Sequence, residues 1–151
     1  MENQAEYEKI AVLAEHLGCE PDDISVSSYD DCLFEYGSQE YLVCDDAEAD
    51  KKAEEHISDS IWAFNASFLV GYMPEGIDEE VIQIIQQKCE SANAPLSKMM
   101  TKPNTFVEDA ISADGRGHFL SGYDGEEIET YYERRNGVHV EKIDYYIYRT
   151  N

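Results

Sequence analysis

Asp114-Gly-Arg-Gly-His118-Phe-Leu-Ser-Gly-Tyr123-Asp-Gly-Glu-Glu127 divides the chain into two kinds of pattern. Before it, apolar residues recur mainly at three- and four-residue steps. After it, they alternate. The stretch holds four of the nine glycines. Glycine at this density serves positive φ angles or close backbone approach. It reads as a hinge between a helical part and a strand part, and as the best candidate for a site.

The helical part opens over residues 3–17, where Tyr7, Ile10, Leu13, Ala14 and Leu17 form a stripe and Gly18 supplies a left-handed cap. Cys32–Tyr36 and Glu40–Cys44 read as a hairpin around Gly37-Ser38-Gln39. With a three-residue loop Tyr36 faces Glu40, Cys32 faces Cys44, and Cys32, Phe34, Tyr36, Leu42 and Cys44 share the core face. Asp45 or Asp46 begins a second helix with Glu48 in its first turn. Its stripe is Ala49, Ala53, Ile57, Ile61 and Phe64, and Asn65 closes it. Asp78 caps a third helix running to about Ala92, well buried through Val81, Ile82, Ile84, Ile85 and Cys89. Residues 91–102 read as loop. Thr105 and Glu108 form the capping box of a fourth helix, which Gly115 ends. Beyond the glycine stretch, 129–134 and 138–142 bracket Arg135-Asn136-Gly137 as a hairpin, and Tyr145–Tyr148 forms a last strand. The expected fold is a single α+β domain. About four helices pack on an antiparallel sheet that joins the N-terminal hairpin to the C-terminal strands.

Charge narrows the function. Thirty-three acids against eleven Lys plus Arg give a net charge of −22 in 151 residues, and the acids are densest before residue 60. Such a chain repels nucleic acid and anionic membrane and attracts basic surfaces. Solubility or salt adaptation would account for the excess. So would imitation of nucleic-acid phosphates, favoured because the acids lie in folded-looking segments and not in a tail. The acids expected to meet a partner are Asp22, Asp23, Asp30, Asp31, Asp45, Asp46, Glu48, Glu54, Glu55 and Asp59. The expected partner is a basic protein, most naturally a nucleic-acid enzyme.

With no basic start, no apolar leader and no span of ~20 apolar residues, the sequence points to the cytoplasm. Four cysteines without a Cys-x-x-Cys pattern are then expected as thiols, with no structural zinc and no cofactor.

The glycine stretch offers a second candidate, a pocket built from Arg116, His118, Asp124 and Glu126. Arg116 suits a phosphate or carboxylate. His118 suits proton transfer, with Asp114 or Asp124 orienting its ring. The competing reading is internal, with Arg116 and His118 tying the junction to nearby acids. Asp124-Gly-Glu-Glu127 could hold a hard cation, although its spacing does not match an EF-hand loop.

Several segments carry a resemblance. Glu40-Tyr-Leu-Val43, Ser60-Ile-Trp-Ala-Phe-Asn65, Asp114-Gly-Arg-Gly-His-Phe-Leu-Ser121, Tyr123-Asp-Gly-Glu-Glu127 and Tyr146-Ile-Tyr-Arg-Thr-Asn151 look like those of a group of small acidic proteins of phages and mobile elements. The resemblance covers roughly residues 40–151. It implies a genomic setting and no catalytic residues. By analogy of class it implies an inhibitor of host restriction or CRISPR machinery. A small enzyme or ligand-binding protein using the pocket is the first alternative. A structural accessory of the mobile element, self-associating through a Tyr145–Tyr148 edge strand, is the second.

Overall fold

The computed structural model describes residues 3–151. The fold is α+β, with seven α-helices among the described residues and a five-stranded antiparallel sheet. Seven replaces the expected four because the second helix breaks after Asp59, residues 93–99 are helical, and the glycine stretch itself forms a helical turn. The chain forms two compact units, one from Met1–Lys52 with Arg116–Asn151, the other from Ala53–Gly115.

The first unit carries the sheet, in the order β1-β2-β3-β5-β4: β1 Ser25–Val26, β2 Leu33–Tyr36, β3 Gln39–Cys44, β4 Ile128–Asn136 and β5 His139–Arg149. As expected, the early hairpin pairs with the C-terminal strands, through β3 and β5. The Tyr145–Tyr148 segment is part of β5 and lies in the sheet interior, so it is no edge strand.

Both hairpins turn more tightly than their sequences suggested. Tyr36 pairs with Gln39, leaving a two-residue Gly37-Ser38 loop, and Cys32 meets Val43, whose N–H donates to the Cys32 carbonyl at 2.8 Å. Gly37 has φ 60°, which the first central position of a type II′ turn requires. The one-residue slip moves Leu42 and Cys44 to the face opposite Phe34. In the same way Asn136 pairs with His139 around Gly137-Val138, with Gly137 at φ 63°.

α1 spans Gln4–Leu17, capped by the Asn3 side chain and by left-handed Gly18. It covers one sheet face, where Val12, Leu13 and Ala14 pack with Phe34, Tyr41, Val43, Tyr145 and Ile147. The expected stripe is rotated. Tyr7 is 54% exposed, while Glu8 and Lys9 are buried. Both charges have partners. Glu8 accepts from Arg134 Nε at 2.7 Å, Arg134 Nη2 at 2.8 Å, the Tyr145 hydroxyl at 2.7 Å and Gln4 at 2.8 Å. Lys9 donates to Glu48 at 3.0 Å. Burial alone would raise the Glu8 carboxyl; the bonds from Arg134, Gln4 and Tyr145 outweigh it and hold it below the ordinary range.

The second unit is helical. α2, Asp46–Asp59, begins in the first unit and ends here. It is followed by α3 Ala66–Leu69, α4 Glu79–Gln86, α5 Asn93–Met99 and α6 Pro103–Asp114. α6 starts at Pro103, so Thr105 lies inside it and caps nothing. α4 stops at Gln86 because Cys89 takes φ 55°. Ile82 is buried while Ile84 is 58% exposed, so this helix is covered on one side only, not well buried. Phe64, Phe68, Tyr72 and Phe106 form an aromatic cluster, with Phe64 and Phe106 edge to face at 5.1 Å.

Candidate functional site

The glycine stretch folds as α7, Arg116–Leu120, followed by a turn into β4. Its glycines answer local geometry. Gly115 ends α6 at φ 83°. A Cβ on Gly117 would stand 2.5 Å from the Gly125 carbonyl oxygen and 2.8 Å from the Glu127 amide nitrogen, so the backbone passes too close for any side chain. Gly122 meets the Thr150 carbonyl in the same way, at 2.9 Å.

Arg116 is held from several sides. Nη1 donates to Asp46 Oδ1 and Asp50 Oδ1 at 2.9 Å each, and Nε donates to Glu127 Oε1 at 2.8 Å. The guanidinium lies 4.5 Å from the Tyr146 ring centroid and its side chain is 10% exposed. Tyr148 also donates to Glu127. Burial pushes the Tyr148 hydroxyl up, and the Glu127 carboxylate pushes it further. Arg116 thus joins the start of α2, α7 and β5, as the internal reading expected for a cation in so acidic a chain.

The other members of the expected pocket do not converge on it. Asp124 accepts from the Ser121 hydroxyl at 2.7 Å and from the Glu126 amide at 3.0 Å, and these bonds hold its carboxyl low. Its carboxylate is therefore used in the turn and does not orient His118. His118 is exposed and meets Phe119 edge to face at 4.9 Å. Glu126 is exposed. Among the described residues no three His, Cys, Asp or Glu side chains gather as they would to hold a metal.

The ten acids expected to meet a partner fall into two sets. Asp22, Asp23, Asp31 and Asp46 in the first unit are exposed, as are Glu54, Glu55 and Asp59 in the second. Asp46 nevertheless holds Arg116. Asp30, Asp45 and Glu48 are half-buried and engaged. Asp30 pairs with Lys52 at 2.8 Å. Asp45 and Glu48 cap one another, each accepting from the other's amide at 2.8 and 3.0 Å. Glu48 also takes Lys9 and the Cys32 thiol, at 3.0 and 3.2 Å. The Cys44 thiol, beside Cys32 and buried, is pushed up first by that neighbour and then by burial. Cys32 and Cys44 are free thiols.

Sequence reasoning missed the Glu8–Arg134–Tyr145 and Lys9–Glu48–Cys32 networks. Their only signal was an adjacent Glu-Lys pair one step away from the apolar stripe of α1, at a position that normally reads as a wet face. No helix is long and apolar enough to cross a membrane among the described residues. The chain matches no protein family, no curated protein and no solved structure.

Proposed function

We infer that this protein is an inhibitor that binds the basic nucleic-acid-binding surface of another protein, its carboxylates standing where phosphates would stand. The target class we propose, by analogy with the small acidic phage and mobile-element proteins that the sequence resembles, is a host defence nuclease of the restriction or CRISPR kind. What supports the reading is the distribution of charge. Among the described residues, six of the eleven Lys and Arg are in ion pairs with the chain's own acids. Arg149 lies 3.6 Å over the Tyr123 ring. Asp22, Asp23, Asp31, Glu54, Glu55 and Asp59 remain exposed to solvent. A net charge of −22, with six of the cations already paired to the chain's own acids, presents anionic surface to an approaching partner. Each rim contact contributes little, and the summed field accelerates encounter and weakens with salt. The pocket reading lacks this support, because Arg116 is committed to Asp46, Asp50 and Glu127.

The test is competition with duplex DNA for a panel of restriction and CRISPR nucleases, at low and high salt. A parallel variant carries Asn or Gln at those six exposed positions. Displacement of DNA that fades with salt and with neutralisation is expected. Unchanged potency after neutralisation would refute the reading.

A further inference from the structure

β4 is a nine-residue edge strand, Ile128–Asn136, paired on one side with β5. The opposite edge of the sheet, β1, has two residues. In a two-residue hairpin the pair flanking the loop exchanges both main-chain hydrogen bonds. Here that pair is Asn136 and His139. Even-numbered β4 residues therefore bond to β5, and Glu129, Tyr131, Glu133 and Arg135 direct their N–H and C=O groups outward. Their side chains lie on the exposed face, away from α1. Such an edge is a template for another strand.

We propose that two copies of this chain pair antiparallel through β4, about a two-fold axis at Tyr132. This register is the one in which all nine residues find a partner, since Ile128 then meets Asn136 of the second copy. It also sets Glu129 opposite Arg135 of the second copy, and Arg135 opposite its Glu129. A shift by one repeat either way loses this match: centring on Tyr131 puts Glu129 against Glu133, and centring on Glu133 puts that carboxylate against itself. Strand length and charge thus select the same register. Four pairs of outward-facing residues exchange about eight main-chain hydrogen bonds. Tyr132 meets its own counterpart across the axis, at the closer, non-hydrogen-bonded spacing that favours aromatic pairs. Beside it a groove lined by Ala11, Val12, Glu15 and Tyr132 opens along the strand, where the partner's Tyr132 has room to lie. The result is a continuous ten-stranded sheet. The chain's overall charge opposes association, but at about 0.15 M salt charges more than ~8 Å apart are largely screened, while the two cross-strand pairs are in contact.

The test is sedimentation of the full chain under reducing conditions at that ionic strength, from micromolar to near-millimolar concentration. The mass should rise from 17.2 kDa toward twice that value. Glu129→Arg and Arg135→Glu each turn two attractive pairs into repulsive ones and should weaken the dimer by about tenfold or more. Glu129→Arg weakens it even though that change lowers the net negative charge. The double charge swap restores the match and the affinity. A monomer at every concentration, a dimer indifferent to both single changes, or a double swap that fails to recover affinity would each overturn the proposal.

Discussion

Replacing Glu8 with Ala removes the acceptor of a buried network while leaving the rest of α1 in place. Glu8 is fully buried, and Tyr145, which donates to it, is 2% exposed. Without the carboxylate the Tyr145 hydroxyl has no acceptor there, which costs about 1–3 kcal/mol. Arg134 contributes nothing to this figure, because its side chain is one-third exposed and water can take over its hydrogen bonds. For a chain of this size the expected fall in Tm is roughly 3–10 °C. Glu8→Gln keeps an acceptor for Tyr145 and should fall between Ala and wild type. Glu15→Ala, on the exposed side of the same helix, should change stability by less than about 0.5 kcal/mol. The assay is urea unfolding followed by far-ultraviolet circular dichroism, supported by calorimetry. The pH dependence has a definite sign. A carboxyl held below its unfolded value contributes stability above about pH 4.3, and that contribution is lost as pH falls through the lower folded value. Glu8→Gln should therefore flatten the acid limb of the stability profile. Equal losses for Glu8→Ala and Glu15→Ala, or an unchanged acid limb in Glu8→Gln, would show that the network does not stabilise the fold.

Gly117→Ala should destabilise by about 1–3 kcal/mol, because its Cβ meets backbone atoms that cannot turn aside, whereas Gly71→Ala has open space and should be tolerated; thermal melts compare the two. Arg116→Lys keeps the charge but loses the planar fork that reaches Asp46, Asp50 and Glu127 together, and should cost about 1–2 kcal/mol by urea titration. A neutral stability would mean the cluster is a surface ornament. Exposed Cys89 should react with a thiol reagent in the native protein, while buried Cys32 and Cys44 should react only on unfolding; peptide mapping of the labelled sites decides.

Local signals were legible and non-local ones were not. Gly18 and Gly115 end their helices as their positions suggested, and alternation located both hairpins. The register of each hairpin escaped because a Gly with positive φ serves a two- or a three-residue loop, and only the paired strand decides which. Glu8 and Lys9 escaped because a charge becomes buried only when its partner arrives, and Arg134 stands 126 residues further along the chain. The Arg116 cluster was legible as a kind of bond but not as a set of partners. Asp46 and Asp50 lie far from it in sequence, 70 and 66 residues upstream.

β3 has β2 on one side and β5 on the other, and the whole of the second unit is synthesised between them. As the polypeptide leaves the ribosome, the early hairpin therefore stands with one open edge and without Tyr145 and Ile147, which complete its core, while the intervening helices have time to fold. Closure of the sheet awaits β5, so assembly of this half is a late event dominated by distant contacts. Nascent chains stalled before residue 139 should engage chaperones through the bare β3 edge and lose them when β5 emerges.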